Sequence, residues 1–585
     1  MQKRRIIPTV LFVLTMLLLF SFGIRQSLPI APARPLSGVY EAAPRPELTW
    51  DNYRTTTFQT QTENYLGEHF GFREPLIRMY NQFLYDFFRK TYSDEVVIGK
   101  DYWSYYQQHV NEYYGTEMYR WYGTKEAACA DFDREARLMW KLRGVLKDYG
   151  IEFLMFMAPD KGFLYPEHLP YRKHDTTTVN AREYYSAKFD EYGFPYIEMT
   201  KWFLELKEAD TLPYSLMPQA GAHWGFSAVL AADSLFRFME SLNGQRFPEM
   251  KIGPLRESSE KTKLGDSDLE NTLNLMRKLP HNDDKLLDAE VTIVKDSATI
   301  WPSVLFVGNS FLWRMHYFIP FDDMFSHSEY WFYNSTANYG RNYQFQTNVG
   351  NLDILQKVLD HDYVVWFTDG NQMYKTSYMF AESALMNLCV ADSVVQKTRL
   401  AIMDSLRKDS LTLLKTKDMT DLNRNNYIWN AANTTLKKGI EHYFTELAGD
   451  SIPTARNPRI PEVLAIKKIK NDPQWMSALE YQAYVQNRPV DDLLKTEAHN
   501  LLDDKPLMRD LTEDIPAEAK MEMFVRGMME EMRKKPQVVK EIEEKAQKNG
   551  KTFEEQLRAD ARWIINRKVE KGEIVLEEKQ WESQR

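Results

Sequence analysis

Two short segments hold the side chains best suited to chemistry: Gly221-Ala222-His223-Trp224 and Val304-Leu305-Phe306-Val307-Gly308-Asn309-Ser310-Phe311. The second is an apolar run that stops in Gly-Asn-Ser, as a buried parallel strand does when it presents a serine at its carboxyl edge. Open α/β sheets gather their ligands and reacting groups at that edge. A serine hydroxyl is a weak nucleophile until a base takes its proton, and His223 is the base on offer. Together the segments predict acyl transfer through Ser310 and His223. Such a site also needs a group to orient the imidazole and donors for the developing oxyanion. The Ser310 backbone N–H is one donor, Gly308 permits close backbone approach, and Asn309 contributes an amide. Taken singly, Gly-Asn-Ser also reads as an ordinary turn, and a histidine beside a tryptophan as a packed one. The chemistry requires no metal or other cofactor.

The elements that must position these groups alternate. Apolar strands are predicted over 151–157, 194–199, 291–294, 303–307, 330–333 and 363–368, and helices over 132–146, 181–192, 227–242 and 352–359. Short apolar strands separated by helices predict a largely parallel sheet covered on both faces. The fold class is therefore α/β, a flavodoxin-like three-layer α/β/α domain. Asp369, just after the strand over 363–368, reaches the same carboxyl edge as Ser310. Residues 251–288 are polar and irregular and read as an insertion.

At 585 residues the chain is too long for one core. A formal charge of -9 excludes a nucleic-acid partner. Aromatics at 14% suit either a sugar-binding cleft or simple core filling. Cys129 and Cys389 form neither a metal-type pair nor a disulfide framework. Lys3, Arg4 and Arg5 precede an uncharged apolar run over 6–24, which reads as a signal-anchor or transmembrane helix (1–25) with its amino end cytoplasmic. A cleaved signal peptide is the competing reading; both export the remainder. A tether and amino-terminal helices follow (26–95), then the α/β domain (96–376) and a charged helical extension (377–456). Residues 457–585 hold two helical repeats. There 473–502 aligns on 536–565 without gaps, pairing Ala483 with Ala546, Leu494 with Leu557 and Ala498 with Ala561.

Several landmarks, in order, make 50–375 resemble the SGNH-hydrolase-like proteins of the alginate O-acetyltransferase type, including the DHHW proteins. They are His69-Phe70-Gly71-Phe72-Arg73, Val96-Val97-Ile98-Gly99-Lys100-Asp101-Tyr102-Trp103, Ala158-Pro159-Asp160-Lys161, Gly221-Ala222-His223-Trp224 and Val307-Gly308-Asn309-Ser310. The resemblance implies an exported, membrane-anchored enzyme of the periplasmic side that O-acetylates a polysaccharide. A membrane-bound O-acyltransferase would supply the acyl donor. Ser310 takes the place of the nucleophile, with Lys161 and Trp224 near substrate; Lys161 serves equally well as a loop former. One departure matters: Gly221 stands where the family carries the aspartate that orients the histidine. Three outcomes stay open: substitution by another carboxylate such as Asp369, a Ser–His dyad, or a non-catalytic glycan binder. Asp160 reads as a turn former. A carbohydrate O-acetylesterase would use the same site, and an envelope scaffold would use the helical repeats instead.

Overall fold

The apolar runs pair into one seven-stranded sheet in a computed structural model of the chain, which describes residues 3–27, 34–38, 43–258, 265–280, 285–375, 377–417, 419, 421–504, 517–533 and 535–570. The strands are β1 (Glu152–Ala158), β2 (Tyr196–Glu198), β3 (Ser303–Gly308), β4 (His327–Phe332), β5 (Thr336–Tyr339), β6 (Phe345–Asn348) and β7 (Tyr363–Asp369). Their order across the sheet is β6-β5-β4-β3-β7-β1-β2. The five strands from β4 to β2 run parallel. β5 and β6 extend the β4 edge as an antiparallel meander. β1, β3 and β7 are buried along their whole length, which is why they read as unbroken apolar runs.

Helices α1 (Lys125–Lys147) and α2 (Ala181–Tyr192) cover one face. Tyr185 of α2 meets Trp366 of β7 edge-on at 6.0 Å and Phe132 of α1 at 5.2 Å. Helices α3 (Ala228–Asn243) and α4 (Phe311–Phe318) cover the other. There Val229, Leu235 and Met239 of α3 and Leu312 and Met315 of α4 share one core with Phe156, Phe306 and Phe367 of the sheet. The three layers match expectation, but the strand order does not follow the flavodoxin pattern 2-1-3-4-5 when counted from β1. Counting from β3 recovers it, with β4 second, β7 third, β1 fourth and β2 fifth. The chain thus enters the sheet at the fourth position of that pattern, so the histidine loop precedes the nucleophile strand in sequence.

The described residues of 249–294 are more ordered than an irregular insertion. Glu249–Ile252 pairs with Val291–Val294, Arg256–Glu257 pairs with Leu287–Asp288, and Asp268–Thr272 forms a short helix. Leu269, Leu273, Leu275 and Leu279 pack with Tyr85, Val96 and Ala222, and Asn81 donates to the Leu273 carbonyl at 2.9 Å. The helix Arg73–Phe88 therefore buttresses this segment against the histidine loop.

The chain divides into two compact units, one of Met1–Ile354, His361–Met386 and Thr398–Thr454, the other of Leu355–Asp360, Asn387–Lys397 and Ala455–Arg585. In the first, residues 398–454 join the sheet domain. The buried Lys141 of α1 donates to the Phe444 carbonyl at 2.5 Å, and Arg134 pairs with Glu441 at 2.8 Å. In the second, Pro473–Gln486 with Val490–Leu502 and Pro536–Asn549 with Phe553–Glu570 are the two repeats. The aligned positions Ala483, Leu494 and Ala498, and Ala546, Leu557 and Ala561, are buried in both copies. Asn487 and Gly550 both end their helices in the left-handed region.

The apolar run at the amino terminus forms a helix, Lys3–Ser27. Among the described residues no helix is long and apolar enough to cross a membrane, so the expected transmembrane helix is not found. The expected tether falls partly outside the described residues.

Candidate active site

β3 ends at Gly308 because the chain there must pass against β7. A Cβ on Gly308 would stand 1.9 Å from the Phe367 carbonyl oxygen, so only glycine fits. The Asn309 N–H donates to that same carbonyl at 3.2 Å, and Ser310 then begins α4 as its N-cap. Ser310 therefore stands at the carboxyl edge of the sheet and at a helix start. The Ser310 N–H has no intrahelical acceptor there. The next N–H, that of Phe311, is taken by Asn309 Oδ1 at 3.2 Å.

His223 reaches this point from the other side. Ser310 Oγ lies 2.7 Å from His223 Nε2, and His223 Nδ1 lies 2.5 Å from Asp268 Oδ2. With the imidazole proton on Nδ1, Nε2 is the acceptor for the serine hydroxyl. The second Asp268 oxygen is fixed by two backbone donors, Ala222 N–H at 2.7 Å and Leu269 N–H at 2.8 Å. Burial alone would raise this carboxyl. The His223 charge and hydrogen bond, the Ala222 N–H and the Arg314 charge outweigh it and hold Asp268 below the ordinary aspartate value. A carboxylate that stays ionised is what the histidine needs when it becomes an imidazolium.

The structure thus gives the orienting place to Asp268, not to Asp369. The Asp369 carboxylate instead accepts from the side-chain amides of Asn309, at 2.5 Å, and Asn371, and stands 3.4 Å from His109. Gly221 has a matching reason. A Cβ there would lie 2.9 Å from the Asp266 carbonyl oxygen and 3.4 Å from Asp268 Oδ1. The carboxylate delivered from residue 268 occupies the space that a residue-221 side chain would enter. Arg314 of α4 locks this arrangement, donating to the Trp224 carbonyl at 3.2 Å while pairing with Asp266 at 2.5 Å. One guanidinium on the helix that Ser310 caps therefore holds both the histidine loop and the aspartate segment.

The remaining predicted residues sit nearby in other roles. Lys161 is fully buried, and its ammonium donates to the carbonyls of Ser104, Pro218, Gln219 and Gly221 at 2.8, 2.7, 3.0 and 2.6 Å. It is a pin for the histidine loop rather than a substrate contact. Trp224 is also fully buried, donating to the Phe311 carbonyl at 3.1 Å inside the core, so it does not face substrate. Asn309 is 1% exposed with its amide committed to Asp369, so the positioning of Ser310, not oxyanion binding, is what its contacts serve. Asp160, read as a turn former, does cap the next helix through Gly162 N–H at 2.7 Å.

Sequence reasoning missed Asp268 and Tyr333. The signal for the first was present: a glycine at the aspartate position, and two aspartates in the segment Gly265-Asp266-Ser267-Asp268. Tyr333 follows β4 with φ of 49°, in the left-handed region that a bulky side chain seldom enters. Its N–H donates to the Gly308 carbonyl at 2.8 Å. Burial pushes its phenol up, as does the Asp369 charge, while a hydrogen bond with Ser310 opposes them. Ser310, His223, Tyr333 and Asp369 open on a cleft of about 690 Å³ whose walls also include Tyr106, Arg120 and Lys375.

A serine, a histidine and an aspartate thus meet at the carboxyl edge of an α/β sheet, an arrangement chemically able to carry out acyl transfer. Residues 96–321 match the family model ALGX, described as SGNH hydrolase-like domain, acetyltransferase AlgX. No curated protein matches the chain. Among solved structures, the chain is similar to the O-acetyltransferase domain of Pseudomonas putida AlgJ (15% identity, TM-score 0.29, covering 50% of this chain and 86% of that one). It is likewise similar to Pseudomonas aeruginosa AlgX (14%, TM-score 0.32, 50% and 68%) and to Bacillus cereus PatB1 (12%, TM-score 0.26, 42% and 91%).

Proposed function

We propose that this protein is an exported O-acetyltransferase that modifies hydroxyls of a cell-surface or extracellular polysaccharide through an acetyl-serine at Ser310. The observation that carries the proposal is the continuous relay from Ser310 Oγ through the His223 ring to Asp268, at 2.7 and 2.5 Å. His223 Nε2 takes the hydroxyl proton as Oγ attacks the acetyl carbonyl, and Asp268 stabilises the imidazolium. The Ser310 N–H, at the start of α4, is a backbone donor available to the oxyanion, and the Tyr333 hydroxyl bonds to the Ser310 side chain. Collapse of the tetrahedral intermediate expels the donor's leaving group, which takes the proton from His223. A sugar hydroxyl then gives its proton to His223 and attacks the acetyl-serine; Oγ leaves and recovers the proton. Water in place of the sugar would make the reaction an esterase.

The basic residues Lys3, Arg4 and Arg5 before the apolar run over 6–24 support export, with a membrane anchor on the outer side of a bacterial cytoplasmic membrane. A membrane-bound O-acyltransferase would be the donor's source. The test uses p-nitrophenyl acetate with the purified chain and with Ser310→Ala. Release of one equivalent of p-nitrophenol in a burst, absent in the variant, is expected. Addition of an acetylatable oligosaccharide should then divert acetyl from water to sugar. Equal background release in both proteins would refute the acyl-enzyme, and hydrolysis unaffected by any sugar would make the protein an esterase.

A further inference from the structure

Behind the relay, four ionisable side chains meet in a buried cluster that acyl transfer does not use. His109 is fully buried, and both its ring nitrogens lack a hydrogen-bond partner. Its Nε2 lies 3.4 Å from Asp369 Oδ2 and 3.9 Å from Asp160 Oδ2. Asp160 is fully buried and its Oδ2 is unpartnered; Glu112 is 2% exposed with both oxygens unpartnered, packed against Gly370. Buried polar groups are almost always satisfied, so this many exceptions in one place call for a missing partner.

The two cationic side chains beside the cluster are largely engaged elsewhere, although the Arg182 charge also acts on Glu112. The Lys161 ammonium serves four backbone carbonyls, and Arg182 pairs with Glu198 at 3.2 Å. The geometry suits a metal. The ligand atoms of His109, Asp160 and Asp369 all lie within 4.8 Å of one another. Tetrahedral bonds of about 2.0–2.1 Å place ligand atoms roughly 3.3–3.5 Å apart, so the 3.4 Å His109–Asp369 distance already fits and the 3.9 Å His109–Asp160 distance needs to close by about half an ångström. His109 and Asp369 also line the catalytic cleft, which gives an ion its way in.

We propose that His109, Asp160 and Asp369 bind one first-row divalent cation of the zinc type, with the fourth position facing the cleft. One imidazole and two carboxylates form an N/O donor set of the borderline kind that zinc accepts. Bound there, the ion fixes Asp369, which holds the Asn309 amide and through it the turn carrying Ser310. It is a positioning device, and no step of acyl transfer passes through it.

The test strips the purified full chain with a chelator, titrates it with zinc chloride, and counts bound metal after dialysis. Cobalt loading gives a visible spectrum that reports inner-sphere nitrogen and oxygen ligands. A second cluster, His327, Glu329 and His361, provides the control. Wild type should retain zinc, with one equivalent lost in both His109→Gln and Asp160→Asn, whose affinity at that site falls by roughly 100-fold or more. Ser310→Ala should bind as wild type does, whatever its effect on acetyl transfer, which separates this proposal from the acyl-enzyme reading. Circular dichroism checks that each variant folds. Should both variants fail to fold, the wild-type cobalt spectrum decides: a bound, non-aqueous spectrum that persists in His327→Gln supports the site. Absence of zinc binding by wild type, or loss of the metal only in His327→Gln, overturns it.

Discussion

Replacing Asp268 by asparagine should disable the site without reshaping it, by forcing the wrong tautomer on His223. Asp268 Oδ1 accepts two backbone N–H groups, at 2.7 and 2.8 Å. An asparagine therefore keeps its oxygen there and turns its NH2 toward His223 Nδ1, now 2.5 Å from the carboxylate. That NH2 demands an acceptor, so the imidazole proton moves to Nε2. A protonated Nε2 cannot take the proton of Ser310 Oγ. The same exchange in a serine protease of like geometry lowers kcat by about 10⁴. The Asp268 side chain is 30% exposed here, so water competes for Nδ1 and the expected loss is about 10³–10⁴, or roughly 4–5.5 kcal/mol. The control is Asp369→Asn, which leaves the His223 contacts intact and alters those to Asn309, Asn371 and His109; a loss of no more than about tenfold is expected. The assay is the kcat of p-nitrophenyl acetate hydrolysis for both variants, with melting curves to show that each is folded. A mild effect of Asp268→Asn beside a severe one of Asp369→Asn would refute the assignment of the relay.

Lys161→Met should destabilise the fold by about 3–5 kcal/mol, because it strands four carbonyls around a buried cavity lining; urea melts monitored by tryptophan fluorescence would show it, and a change below about 1 kcal/mol would contradict the pin. Glu382 is buried, and burial foremost raises its carboxyl to about 7. A folded value above the ordinary 4.5 means stability fully present below about pH 4.5 and lost as pH rises through about 7, on the order of 3 kcal/mol. Glu382→Gln should thus raise the melting temperature at pH 8 and leave it nearly unchanged at pH 4, a difference that scanning calorimetry at the two values would reveal or exclude.

The strands were legible because burial on both faces leaves an unmistakable apolar run, as in Phe153 to Met157 and Val304 to Val307. Ser310 and His223 were legible because their neighbours constrain them: a glycine that must pass a β7 carbonyl, and a histidine beside a core tryptophan. Local sequence also set the helical repeats, whose buried alanines and leucines recur in register. What residue chemistry along the chain left open was partnership at a distance. Asp268 sits in a polar stretch with no periodicity, and only the packing of Leu269, Leu273 and Leu279 onto Ala222 and Tyr85 carries it to the imidazole. Asp369 satisfied every local criterion, lying at the correct edge of the sheet, yet the side chain is spent on Asn309 and Asn371. Lys161 and Trp224 carry groups able to touch substrate, and the fold buries both. A sequence fixes which atoms can donate, accept or titrate; which of them meet is decided by the three-dimensional path of the chain, because hydrogen bonds act over about 3 Å while the partners here lie 45 and 87 residues apart.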